Sequence, residues 1–111
     1  MKKTIPNEFA FEELLEEAAE HLKVLGHPQR LRILDFLREN GESRVGEIVR
    51  RTKLSQATVS FHLNKMRRSG LVISRREARE VYYWIATETA QVVADTLHRK
   101  HERALGLDPL K

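Results

Sequence analysis

The feature that most constrains this chain is a change of hydrophobic period at Gly70. Before it, apolar residues recur every three to four positions, the spacing of one helix face. After it, Leu71-Val72-Ile73-Ser74-Arg75 and Glu80-Val81-Tyr82-Tyr83-Trp84-Ile85 are rich in β-branched and aromatic residues. They flank the polar stretch Arg76-Glu77-Ala78-Arg79. Two such runs around a short polar break predict an antiparallel β-hairpin. A helical chain that ends in one hairpin and then turns helical again has few architectures open to it.

Residues 8–25 predict a first amphipathic helix, with Phe11, Leu14, Leu15, Ala18, Leu22 and Leu25 on one stripe and Glu on the other face. Gly26 stops it, and His27-Pro28 restarts the chain, with Pro28 suited to a first helical turn and His27 to capping it. Residues 28–39 predict a second helix, with Leu31, Leu34 and Leu37 inward and Ile33 and Phe36 widening the apolar face, closed by Asn40-Gly41. Residues 44–52 predict a short third helix on Val45, Ile48 and Val49. After a break at Lys53-Leu54, Ser55 can cap a fourth helix running to Arg68, ended by Ser69-Gly70. A last helix spans 87–104, with the stripe Ala90, Val93, Ala94, Leu97, His101, Ala104 and Leu105. The expected fold is mainly α with a small β-hairpin (α+β), in the order α-α-α-α-β-β-α. Its helix-turn-helix lies at about 44–68 and its hairpin wing at about 71–85, within a single domain over 1–111. The first and last helices, about 8–25 and 87–104, carry more apolar surface than so small a core can cover. They are expected to pack on a second copy, giving a homodimer.

Charge is unevenly spread. Residues 1–25 hold three Lys and six Glu, whereas residues 44–79 hold ten Lys or Arg against two Glu. A focused basic segment within a chain of net charge +4 points to a polyanionic partner. With no cysteine, disulfides, thiolate metal sites and thiol redox switches are excluded. Met-Lys-Lys-Thr-Ile-Pro opens like a signal peptide, but acids at Glu8, Glu12 and Glu13 replace the apolar run that should follow. No stretch reaches the roughly 20 apolar residues of a membrane span. The expected setting is the cytoplasm, with no membrane partner.

On a wheel of about 100° per residue, Val59, Leu63 and Met66 fall on the core side of the fourth helix, with His62 at its edge, packed beneath. The opposite face carries Ala57, Ser60, Phe61, Asn64, Lys65 and Arg68, with Gln56 at the helix start and Thr58 in the same first turn. Ser, Asn and Gln can meet base-edge donors and acceptors, and Ala57 and Phe61 can touch a thymine methyl. Lys65 and Arg68 suit phosphates at the far end. A polar helix face is ordinarily just solvated, but an outward Phe61 has little use in water. Arg75, Arg76 and Arg79 at the hairpin suit flanking phosphates or the minor groove, although charged hairpins also deter strand aggregation.

The segments Leu25-Gly26-His27-Pro28-Gln29-Arg30-Leu31-Arg32-Ile33-Leu34 and Leu54-Ser55-Gln56-Ala57-Thr58-Val59-Ser60-Phe61-His62-Leu63 are similar to the second-helix opening and recognition helix of the ArsR/SmtB winged-helix repressors. Gly70-Leu71-Val72, the arginine-rich tip and Val81-Tyr82-Tyr83 resemble the wing of that family, and the likeness covers residues 18–104. The resemblance implies a homodimer joined through the first and last helices. It also implies a sequence-specific regulator of transcription, a repressor on inverted-repeat half-sites that a signal releases. The family's DNA-contacting positions fall on Gln56, Ala57, Ser60 and Phe61. Relatives often carry a polar residue where Phe61 stands, which bears on the operator sequence. The competing function is a winged-helix module whose basic face binds an acidic protein.

The family's thiolate sensors have no counterpart here, because there is no Cys. Its other metal site, shared across the dimer, uses an Asp-x-His pair at the start of the last helix and a His-x-x-His or His-x-x-Glu pair near its end. Here the end reads His98-x-x-His101, but the start, Ala86-Thr87-Glu88-Thr89, offers only Glu88. Two imidazoles and a carboxylate could hold zinc or nickel. Packing of His101 in the dimer interface, with His98 at its edge, is the simpler account of the same residues. No cofactor is required by the pattern. With no Cys nucleophile, no Gly-rich phosphate loop and five scattered His, the chain does not read as an enzyme.

Overall fold

The computed structural model describes residues 8–106; the opening Met-Lys-Lys-Thr-Ile-Pro lies outside them. Along the described residues run α1 (Glu8–Leu25), α2 (Pro28–Asn40), β1 (Ser43–Arg44), α3 (Val45–Thr52), α4 (Gln56–Arg68), β2 (Val72–Glu77), β3 (Glu80–Ile85) and α5 (Glu88–Ala104). The break between α1 and α2 is built as expected. His27 is extended, and its Nδ1 accepts the backbone N–H of Gln29 at 3.1 Å, with Pro28 in the first turn. Gly41, at φ 70°, closes α2 by donating its N–H to the Leu37 carbonyl at 2.8 Å, a left-handed position that suits glycine.

The core sits where α2, α3 and α4 meet the sheet. Ile33, Leu34, Leu37, Ile48, Val59, Leu63, Met66, Leu71 and Val72 are all essentially inaccessible. These side chains come from every expected inward face of the central segment, so the core both fixes the helix-turn-helix and seats the hairpin on it.

The hairpin differs from the expectation in two ways. First, it belongs to a three-stranded antiparallel sheet of order β1-β3-β2, in which Ser43 pairs with Tyr83 and Arg44 with Tyr82. A two-residue strand has no readable period, so the sequence could not announce it. Secondly, β2 runs on to Glu77, and the turn shrinks to Ala78-Arg79, with Ala78 at φ 57°. That places Glu77 directly opposite Glu80, a repulsive pairing. It is offset because Arg75 Nη1 bonds Glu77 Oε1 at 2.7 Å and Arg44 Nη1 lies 3.9 Å from Glu80 Oε2. Arg75 and Arg76 are therefore strand residues; of the three arginines only Arg79 lies in the turn.

The terminal helices sit partly off the core. α1 buries Leu25, Val24 and His21 in its last turns. Phe11, Leu14, Leu15 and Leu22, which share its predicted stripe, are between 46% and 56% exposed. On α5, Ala90 and Ala94 are buried, whereas Leu97 and Leu105 are exposed, as is His101. No helix of the described residues is long and apolar enough to cross a membrane.

Candidate nucleic-acid interface

The turn that aims α4 is built from side chains and one strained backbone. Thr52, buried, donates its hydroxyl to the Ile48 carbonyl at 2.7 Å and accepts the N–H of Leu54 at 3.3 Å. Lys53 takes the left-handed conformation, φ 66°, and donates its N–H to the Val49 carbonyl at 2.9 Å. The chain then enters α4 through Ser55, whose hydroxyl accepts the Thr58 N–H at 3.1 Å and donates to Thr58 Oγ1 at 2.9 Å. The sequence-expected cap is thus in place, and its first turn is pinned. At the start of α3, Glu47 accepts the backbone N–H of Arg44 at 2.9 Å. That bond, with the Arg44 side chain beside it, holds the Glu47 carboxyl below the usual carboxylate range.

α4 divides as the wheel divides it. Val59, Leu63 and Met66 are fully buried, and His62 is nearly so. Gln56, Ala57, Phe61, Lys65 and Arg68 are exposed, and Thr58, Ser60 and Asn64 are half-buried at the flanks. Phe61 is 56% exposed, its ring edge-on to His62 with centroids 5.3 Å apart. The helix contains no acid, while its last turn carries Lys65, Arg67 and Arg68. Arg67, absent from the sequence-based set, is exposed and donates to Asn64 Oδ1 at 3.0 Å. Its spacing, three residues after Asn64 and seven after Ser60 of the outward face, is the signal that marks it. A face of this kind presents donors, acceptors and one flat apolar ring to an anionic surface.

The three hairpin arginines are not equivalent. Arg75 donates to both Glu42 and Glu77 and lies over the Tyr82 ring, 4.7 Å from its centroid. The bonds to Glu42 and Glu77 raise the Arg75 guanidinium above its already high ordinary value, so its charge is spent within the molecule. Arg76 pairs with Val81 and points to the opposite face of the sheet from Arg75. Arg76 and Arg79 are exposed.

The residues considered for a metal do not gather in one chain. Both ring nitrogens of His98 face carboxylates instead: Nε2 lies 3.1 Å from Glu102 Oε2, and Nδ1 lies 3.9 Å from Asp35 Oδ1. His101 is exposed, and Glu88 stands ten residues before His98, about 15 Å along the helix axis. Among the described residues no group of three or more His, Asp or Glu could hold a metal ion. Within one chain, His98, Glu88 and His101 are thus not brought together.

Comparison with known proteins agrees with this geometry. The family model described as "Bacterial regulatory protein, arsR family" matches residues 27–74, from the cap of α2 into β2. The HTH-type transcriptional regulator YgaV of Escherichia coli is 40% identical over 82 residues, 74% of this chain and 83% of its own. The crystal structure of the transcriptional repressor PagR of Bacillus anthracis superposes with a TM-score of 0.73 at 36% identity, covering 78% of this chain and 98% of that one. A homodimeric winged helix-turn-helix DNA-binding domain from Mycobacterium bovis matches with a TM-score of 0.73 at 29% identity, covering 96% and 97% of the two chains. The chain is a helix-turn-helix transcription regulator and belongs to the arsR family of bacterial regulatory proteins.

Proposed function

We propose that this regulator works as a homodimer that places two copies of α4 in successive major grooves of an inverted-repeat operator and represses transcription from it. The observation that carries the proposal is Phe61. A large aromatic, 56% exposed, stands on the outward face of a helix that has no acid and a cationic last turn. Gln56, Ala57, Thr58, Ser60, Phe61 and Asn64 read base edges, and Lys65 and Arg68 meet phosphates. Arg76 and Arg79 of the wing reach flanking phosphates or the minor groove.

The dimer follows from the same economy of surface. Phe11, Leu14, Leu15 and Leu22 of α1 and Leu97 and Leu105 of α5 are exposed in the single chain. The Mycobacterium bovis domain is described as homodimeric. A second copy covering these faces would remove apolar area from water at about 25 cal/mol per Å². It would also fix the two recognition helices about one helical turn of DNA apart. Selection from a randomised duplex library tests the function: an enriched inverted repeat is expected, and a pool with no enriched sequence would contradict it.

A further inference from the structure

His62 is the buried titratable side chain closest to the recognition surface, 3% exposed and so unable to touch DNA itself. Its two ring nitrogens are both engaged by α2. Arg30 donates from Nε to His62 Nδ1 at 3.0 Å, and His62 Nε2 lies 2.9 Å from Gln29 Oε1. A guanidinium can only donate, so Nδ1 carries no proton, and the proton on Nε2 goes to the amide oxygen. Arg30 then continues to α1, donating from Nη1 to the Val24 carbonyl at 2.8 Å. The His27 ring, which caps α2, packs 4.6 Å from the His62 ring. One side chain of α4 is thus bolted to the start of α2 and, through Arg30, to the end of α1.

Those bonds add fixed directions to the apolar packing that seats α4. His62 follows Phe61 directly, and Val59 and Met66 on the same inner side are apolar and non-directional. The hydrogen bonds of His62 are the ones on that side with a fixed angle. We infer that His62 is a positioning residue for DNA recognition: in its neutral, Nε2–H form it acts through Arg30 and Gln29 to hold Phe61 and Ser60 at the groove, and taking up a proton at Nδ1 breaks that hold. The inference rests on the DNA-binding function proposed above.

The surroundings favour the neutral form. Burial is the largest influence, and the charges of Arg30 and His27 add to it, so the imidazole titrates below its ordinary 6.5. Among the described residues no carboxylate on α1, α2, α3 or β2 enters this balance. A depressed folded-state value means the unfolded chain binds the proton more readily. The network's stabilisation is therefore complete above about pH 6.5 and is lost as pH falls towards the folded-state value. Acid normally tightens protein–DNA contacts by adding positive charge. Specific binding through a neutral His62 runs the other way.

The test measures affinity by fluorescence anisotropy for a duplex recovered from the randomised library and for a mixed-sequence duplex, from about pH 7.5 to about pH 5.5 at fixed salt. For the wild-type dimer, affinity for the selected duplex is expected to fall about threefold by the acid end, because an imidazole that titrates below 6.5 is only partly protonated there, while affinity for the mixed duplex holds or rises. Circular dichroism at the acid end confirms the fold. His62→Asn places a non-titrating amide oxygen where Nδ1 accepts from Arg30. It is expected to bind the selected duplex within about threefold of wild type near neutrality and to lose the acid dependence. Should that variant not fold, imidazole ¹⁵N spectra of the wild type decide: an Nε2–H tautomer is expected, titrating at the same midpoint as the loss of affinity. An acid dependence unchanged in His62→Asn, an Nδ1–H tautomer, or wild-type specific binding that holds or rises in acid overturns the inference alone. Failure of the wild type to select any sequence near neutrality overturns the DNA-binding function and the inference with it.

Discussion

His21 of α1 donates from Nε2 to the backbone carbonyl of Ser69 at 2.9 Å, which fastens the first helix to the residue that closes α4. Together with the Arg30 bond to Val24, it ties the last turns of α1 to the recognition helix twice, once directly and once by way of Arg30 and His62. Since α1 also bears the face assigned to the dimer contact, the position of one protomer on the other and the position of α4 are mechanically linked.

Removing that tether is expected to cost stability as well as alignment. His21 is 8% exposed, so His21→Ala removes a buried hydrogen bond and leaves a carbonyl unpaired. The loss should be about 1–3 kcal/mol, read as a lowered urea midpoint with an unchanged m-value.

The hairpin turn stores strain that a single substitution can relieve. Ala78 sits at φ 57° with a Cβ that crowds its own carbonyl. Ala78→Gly should stabilise the protein by about 0.5–1 kcal/mol, since the left-handed penalty exceeds the entropy that glycine adds to the unfolded chain. Thermal melting at fixed protein concentration checks it, and a lowered melting temperature would contradict the turn geometry.

The wing arginines should separate by salt dependence. Arg79 is exposed in the turn, whereas Arg75 is paired with Glu42 and Glu77. Arg79→Ala is expected to reduce the slope of log affinity against log salt by about 2, one phosphate contact from each protomer. Arg75→Ala should leave that slope nearly unchanged.

Dimerisation can be probed on α1. Leu14 is 56% exposed in the single chain, so Leu14→Glu should fold normally by circular dichroism. In the dimer it would bury a charge without a partner. Sedimentation equilibrium should show a shift to monomer, with affinity for the selected duplex reduced at least tenfold because the two half-sites are no longer held together. A variant that remains dimeric would place the interface elsewhere.

Much of this arrangement is legible in the residues themselves. The wheel of residues 56–68 separates Val59, Leu63 and Met66 from Phe61 and Lys65 because burial follows the 3.6-residue period, and Ser55 and His27 cap because their side chains reach backbone donors two or three residues on. What stays hidden is what depends on partners distant in sequence. β1 exists only because β3 comes alongside it, and Arg75 is held back from the wing tip by Glu77 together with Glu42, which lies 33 residues earlier. The bond between Arg30 and His62 likewise spans 32 residues, and no local pattern announces it. The spacing of His98 to His101 is local, whereas one of its neighbours in space, Asp35 of α2, lies far off in sequence; the other is Glu102 of its own helix.

Base reading by the outward face of α4 is decided by comparing Phe61→Ala and Ser60→Ala with wild type on the selected duplex and on a mixed-sequence duplex at one salt concentration. Phe61 is largely solvent-exposed, so its truncation should leave the melting temperature nearly unchanged. Loss of about 1–3 kcal/mol on the selected duplex, with little change on mixed DNA, is the predicted result. An equal loss on both duplexes, or none on either, would contradict it.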